Sequence, residues 1–288
     1  MGLAVVCSHF NPGGFRAPRR NLLRFLRQMR SQGIPTFVAE LSYDDDPFFL
    51  PDNPCYFRFR SERSNVLWHK ENLLNLAVNL SPDHHDKIAW IDPDVFFFHM
   101  DWVRETEQKL ESHAAVQLFT EVQFTDEDGV CYKRKSSAIA DRKLRLGYNQ
   151  PGFAWAANRD LWRKAGGLCE LAILGGGDTL FTCACLNTDA PTWMHYPDWK
   201  IWTACAKSWV QNAGGAGVVA GTIVHEWHGS DKDRAYIERH SLLRNLRVNE
   251  LVVKRDDGLL EFTETVPASF RRSIYDYFIG RSEDSALL

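Results

Sequence analysis

The stretch KIAWIDPDVFFF, residues 87–98, carries Asp92 and Asp94 one residue apart at the end of an apolar run, with three phenylalanines directly after them. The run reads as a β-strand. A carboxylate in such surroundings must meet a cation or give up its charge, because an unpaired buried charge costs several kcal/mol.

The neighbouring segments decide what kind of sheet this strand enters. LAVVCSHF (3–10) is a β-branched run that ends in NPGG, a strand followed by a tight loop. From about Pro18 to Gln32, Leu22, Leu26 and Met29 recur at helical spacing. GIPTFVAEL (33–41) reads as a second strand. SNVLWHKENLLNLAVNLSP (64–82) reads as a second helix with Leu73, Ala77 and Leu80 on its inner face, and KIAWIDPDVFFF as the third strand. Strand, helix, strand, helix, strand in about the first hundred residues predicts a parallel α/β sheet with right-handed crossovers. Farther on, DWVRETEQKLES (101–112) reads as a helix, AAVQLF (114–119) as a strand, 131–148 as a basic loop, and GVVAGTIVHEWHG (217–229) as a strand leading into a histidine-containing turn. No repeat or linker interrupts the chain. The expected fold class is α/β, with a mixed, mostly parallel central sheet flanked by helices. The expected organisation is one domain over 1–240 and a C-terminal appendage over 241–288 packed on it.

The 288 residues, 44% hydrophobic and 25% charged, have the composition of an ordinary globular protein. A net charge of -3 and a pI near 6.4 argue against a general polyanion coat. The positive charge is nevertheless clustered. Arg16, Arg19, Arg20, Arg24, Arg27 and Arg30 lie in a stretch without an acid. Lys133, Arg134, Lys135, Arg142, Lys143 and Arg145 face only Asp141. The cysteines show neither zinc-finger nor CxxC spacing and read as free thiols. No run approaches the roughly 18 apolar residues of a membrane span, and the N-terminus has no signal-peptide pattern. The expected location is cytoplasmic, without a membrane partner.

In open α/β sheets ligands sit beyond the carboxyl ends of the strands, where Asp92 and Asp94 fall. At i and i+2 on a strand their side chains share a face. They can therefore share one hard divalent cation, Mn2+ or Mg2+, whose remaining positions suit diphosphate oxygens. Haloacid-dehalogenase-type phosphatases also carry an aspartate pair after a strand, but they place it on the first strand and continue with Thr or Val where this chain has Phe96.

WIDPDVFF, together with FNPGGFR, NVLWHKENLLN, GFAWAANRDLWRKAGGL, GGGDTLF and HEWHGSDKDRAY, resembles the GT-A glycosyltransferases. The resemblance runs over about residues 3–240 in the family's order. It implies a Rossmann-like domain with a nucleotide-sugar half at about 1–112 and an acceptor half at 113–240. It also implies transfer of a sugar from a nucleoside diphosphate, with a UDP-sugar favoured, to a hydroxyl acceptor. Asp94 would ligate the metal directly, and Asp92 would contact the ribose, or the metal through water. His228 would complete the metal site, with His225 as the other candidate. Asp178 would be the general base, although Gly177 stands where many members have an acid. Phe10 and Asn11 would contact the base, Glu40 the base or ribose, and Lys70 the diphosphate, while Trp155 and Trp162 would line the cleft against the sugar. YPDWKIWTACAKSW (196–209) would be an acceptor loop.

Each assignment has an ordinary structural counterpart: a helix cap for Asp178, core packing for Phe10 and Trp155, a turn for Asn11, solvated charges for Glu40 and Lys70, and a hydrogen-bonded structural role for the histidines. Basic surfaces follow phosphates, so the acceptor expectation extends to an anionic polymer, with a hydroxymethylated base in DNA as its boldest form. The chain could instead be a glycan-modifying transferase, a non-catalytic nucleic-acid- or nucleotide-binding protein using 16–30 and 133–145, or a nucleotidyltransferase of related fold.

Overall fold

Strand β1 (Leu3–Phe10) is buried along nearly its whole length, with Val5 and Cys7 turned to one side of a sheet and Ala4 and Val6 to the other. Both faces of such a strand must be covered, which is the situation of a parallel strand at the centre of an α/β sheet. In the computed structural model of the protein, which describes residues 2–194, 197–230, 232–244 and 246–284, the chain continues as α1 (Arg16–Ser31), β2 (Thr36–Tyr43), β3 (Tyr56–Ser61) and α2 (Lys70–Leu80). It then forms β4 (Lys87–Ile91), β5 (Val95–Phe97), α3 (Trp102–Lys109), β6 (Ala115–Gln117), β7 (Glu121–Thr125), β8 (Cys131–Ser137), β9 (Asn149–Gln150) and β10 (Ala154–Asn158). After these come α4 (Arg159–Ala165), α5 (Gly177–Cys185), α6 (Pro197–Asn212), β11 (Ala216–Val218), β12 (Thr222–His225), α7 (Val248–Leu251), β13 (Val252–Lys254), β14 (Leu260–Phe262) and α8 (Ala268–Ile279).

Among the described residues, seven strands form the main sheet in the order β11-β6-β10-β4-β1-β2-β3. Only β10 runs antiparallel to its neighbours. The sheet is mixed and mostly parallel with helices on both faces, as the alternation of segments predicts. One face packs on α1, α3 and a second, five-stranded sheet, β5-β12-β7-β8-β9. The other packs on α2, α5, α6 and the C-terminal segment. The C-terminal segment is tied to α2 through Asn72, whose amide donates to the Gly258 carbonyl (3.0 Å) and accepts from the Leu260 N–H (3.0 Å).

Several local readings change. KIAWIDPDVFFF is not one strand: Asp92, Pro93 and Asp94 form a turn closed by the Val95 N–H on the Asp92 carbonyl (3.1 Å), and β4 and β5 join different sheets. Proline lacks the N–H a central strand needs. β4 is the fourth strand rather than the third, because YFRFRS, whose alternating Phe and Arg have the period of a strand, forms β3 ahead of it. The second helix begins at Lys70 rather than 64, and Leu80 is exposed at its end. Lys133, Arg134 and Lys135 lie on β8 rather than in a loop, and of the stretch 196–209, read as an acceptor loop, residues 197–209 lie in α6; Tyr196 lies outside the described residues. The seven cysteines are free. No helix among the described residues is long and apolar enough to cross a membrane.

Candidate active site

Along β4, Ile88 and Trp90 face the core that contains α2, while Ala89 and Ile91 face the other. Asp92 continues the parity of Trp90 and meets α2, where Lys70 Nζ lies 2.6 Å from Asp92 Oδ1 and 2.7 Å from Asp178 Oδ2. Asp178 reaches this point from the first turn of α5. The chain enters that helix through Gly175 and Gly176, both in the left-handed region (φ 86° and 96°), which a side chain would strain. Burial works against the Lys70 charge, but Asp178, Asp92 and Glu71 outweigh it and hold the ammonium well above its ordinary pKa. Asp92 is shifted upward, by burial first and then by Asp178 and Asp94, with Lys70 opposing.

Glu71 completes this floor. Its side chain is buried, its Oε2 has no hydrogen-bond partner, and it fills the space a Cβ at Gly177 would take. Burial, aided by Asp178 and opposed by Lys70, pushes its carboxyl up to about 8. The absence of a side chain at Gly177 thus leaves room for the Glu71 carboxyl of α2.

The turn at Pro93 sends Asp94 to the second sheet. There the Glu226 N–H holds the Asp94 carbonyl (2.8 Å), and β12 brings His225 opposite Val95. Asp94 Oδ2 lies 2.9 Å from His228 Nε2 and 3.7 Å from His225 Nε2, and the two ring nitrogens are 3.1 Å apart. His225 is fixed by stacking on Phe153, centroids 4.5 Å apart. Burial would raise the Asp94 pKa, but His225, His228 and Arg234 overcome it and hold the carboxyl below its usual range.

Asp94, His225 and His228 offer three ligand atoms within 4.8 Å of one another, and Asp94 Oδ1 is buried without a hydrogen-bond partner. One carboxylate, two imidazoles and an unsatisfied oxygen fit a borderline-hard divalent ion such as manganese. Both histidines belong to this group, where the resemblance implied one of them, His228 ahead of His225. Asp92 does not: it and Asp94 do not share a strand face, and its carboxylate is turned to Lys70.

Both clusters open into one cavity of about 450 Å³. Phe10 and Asn11 line it; Phe10 packs edge-on against Trp68 (5.5 Å), and Asn11 locks the first loop by hydrogen bonds to the Phe15 carbonyl (2.7 Å) and N–H (3.0 Å). Two expected contacts lie elsewhere. Glu40 is not in the cavity wall: its buried carboxylate accepts from the backbone N–H groups of Phe49 (2.5 Å) and Leu50 (3.2 Å), bracing the loop after β2. Trp155 is wholly buried, opposite Trp90 in the β10–β4 pairing, with its indole N–H on the Pro151 carbonyl (2.9 Å); it is a core residue, as is Trp162. Strand parity decides this, since Trp155 shares the face of Ala157.

The sequence reading missed Glu71, Arg239, Arg281 and Glu283, which also line the cavity. A buried role for Glu71 could have been suspected from KENLL, where it adjoins the helix's apolar face; the others come from distant segments with no local signal.

No protein-family profile and no curated protein matches the chain. Among solved structures it is similar to a Drosophila β1,4-galactosyltransferase 7 mutant in complex with manganese, UDP-Gal and xylobiose, at 13% identity over 95% of this chain and 99% of that one, with a TM-score of 0.44. It is also similar to a nucleotide-diphospho-sugar transferase from Desulfovibrio desulfuricans G20, at 10% identity over 99% and 100% of the two chains, TM-score 0.37. A third is 4-diphosphocytidyl-2C-methyl-D-erythritol synthase from Anaerococcus prevotii, at 11% identity over 76% and 87%, TM-score 0.37.

Proposed function

We propose that the chain is a metal-dependent GT-A-type glycosyltransferase that moves a sugar from a nucleoside diphosphate, a UDP-sugar foremost, to a hydroxyl acceptor. The observation that carries this reading is the presence, in one cavity, of a three-atom cation cluster and a separate carboxylate held by a buried lysine. A cavity of about 450 Å³ is in the range of small-molecule sites. Asp94, His225 and His228 would hold the ion, which when bound would offset the charge of the departing diphosphate. Asp178 would take the proton from the acceptor hydroxyl. Lys70 pairs with both Asp178 and Asp92 and so fixes the position of the Asp178 carboxylate. Phe10 and Asn11 shape the first-loop wall and would meet the nucleotide base. In this reading residues 1–112 supply the donor half, 113–240 the acceptor half, and 241–288 an appendage that closes the cavity. A reducing, cytoplasmic setting suits the free cysteines.

For the acceptor, Lys133 and Lys135 reach the cavity wall over the Phe124 ring, 5.3 and 5.6 Å from its centroid. This favours an anionic acceptor, with DNA as the boldest case. On α1, by contrast, Arg20 and Arg24 are engaged with the Trp227 carbonyl and Glu226.

The test is transfer from a panel of nucleotide-sugars to glycan and DNA acceptors, with Mn2+ or with excess chelator, by the wild type, Asp94→Asn and Asp178→Asn. Chelator and Asp94→Asn should abolish transfer. Asp178→Asn should slow it roughly a hundredfold or more while donor binding survives. Full transfer in excess chelator would overturn the metal assignment, and unchanged kinetics in folded Asp178→Asn would reduce that residue to a helix cap.

A further inference from the structure

Three arginines to which the proposed mechanism gives no role converge on the same cavity from the C-terminal quarter of the chain. Arg234 lies in the turn after the histidines, Arg239 just beyond it, and Arg281 follows α8. Each is under one tenth exposed: 6, 8 and 7%. Arg239 and Arg281 both lie over the Trp68 indole, 5.7 and 4.9 Å from the ring centroid.

The balance of charge around them is incomplete. Glu283 pairs with Arg281 (2.5 Å) and Arg234 (3.5 Å). Arg239 donates to the Tyr277 hydroxyl (2.8 Å) and forms no ion pair among the described residues. The Nε atoms of Arg239 and Arg281 are buried without a hydrogen-bond partner. Burial lowers the pKa of Arg281, and Arg234 and Arg239 lower it further, with Glu283 opposing. Like charges gathered out of water are costly unless an anion joins them. The guanidinium fork takes an oxyanion in bidentate fashion, and all three side chains line the cavity.

We infer that Arg234, Arg239 and Arg281 form an oxyanion subsite, with Trp68 as its platform, for a diphosphate group. Arg234 contacts His228 through its ring nitrogens and its carbonyl oxygen, so the subsite adjoins the Asp94, His225 and His228 cluster. A cation there would bring a further positive charge beside Arg234, and an anion spanning the two reconciles them. The inference deepens the nucleotide-sugar reading and rests on it for which molecule carries the diphosphate, but it does not rest on a bound metal.

The experiment is metal-free binding, in excess chelator, of inorganic pyrophosphate, UDP and a short single-stranded oligonucleotide, followed by tryptophan fluorescence and calorimetry. The wild type should bind pyrophosphate and UDP. Arg239→Gln and Arg281→Gln should weaken both at least tenfold, Arg239→Lys should do so with its charge retained, and exposed Arg272→Gln should change nothing. Should the glutamine variants fail to fold, the wild type and Arg239→Lys still decide. No metal-free binding of pyrophosphate or UDP at millimolar concentration by the wild type overturns the subsite, as does unaltered affinity in the folded variants. An oligonucleotide that binds through these arginines while pyrophosphate and UDP do not overturns the diphosphate assignment. If pyrophosphate binding depends on the arginines but UDP binds no more tightly and no sugar is transferred, the subsite stands and the nucleotide-sugar reading falls.

Discussion

Glu71 shows how a single residue can record its surroundings in a titration. Its carboxyl stands near pKa 8 in the folded chain against 4.5 as a free side chain, because burial and Asp178 disfavour its charge more than Lys70 favours it. Below the lower value both states hold the proton and burying it is uncharged. As pH rises through the interval the unfolded chain loses the proton first, so the folded state binds more protons and stability falls. Glu71→Gln should remove that part of the slope between about pH 4.5 and 8, as read by urea titrations of both proteins across the range. Identical slopes would mean that Glu71 is ionised in place. The sequence made Asp94, His228, Lys70 and Asp178 visible because each lies at a strand end, a turn or a helix start with a recognisable neighbourhood. Glu71 carries a weaker signal, as the single acid of α2 beside that helix's apolar face.

At the scale of elements, what matters is how β5 is held after the turn at Pro93. β12 pairs with one edge of β5. On the other, Gln28 of α1 acts as a substitute strand: its amide donates to the Phe97 carbonyl (2.8 Å) and accepts from the Phe97 N–H (3.1 Å). Gln28→Leu would keep the volume and leave two buried backbone groups unpaired, at about 2 kcal/mol or more. Chemical denaturation should show that loss, and because β5 follows Asp94 directly, metal affinity should fall with it. A change under about 0.5 kcal/mol, typical of surface substitutions, would mean that β5 is secured by β12 alone.

In the whole molecule the chain's end returns to its beginning. α1 has no acid in its first turn and no local side-chain cap. Asp284, 268 residues away, accepts from the Arg16 N–H (2.7 Å) and the Ala17 N–H (2.8 Å). One residue earlier, Glu283 ties Arg281 and Arg234 together beside His228. The terminal strap therefore joins the first helix to the cavity. Asp284→Ala should cost about 1 kcal/mol, as loss of a cap does, and should weaken donor binding by loosening the strap. A lowered melting temperature with unchanged donor affinity would confine Asp284 to capping α1.

What the sequence determined by itself is the part written in local periodicity. β-branched runs and a helical stripe place β1, α1, β2, α2 and β4 in alternating order, and that order implies a mostly parallel sheet with its site at the strand ends. Only the tertiary structure decided that Pro93 divides one apolar run between two sheets and separates Asp92 from Asp94. It also decided that Trp155 faces the core, that Glu40 braces a loop, and that arginines from beyond residue 230 gather over Trp68. Local patterns record what a residue does within a turn or two of its own chain. Pairing register, burial and ion-pair partners depend on segments that meet across a hundred residues or more, where no periodicity connects them.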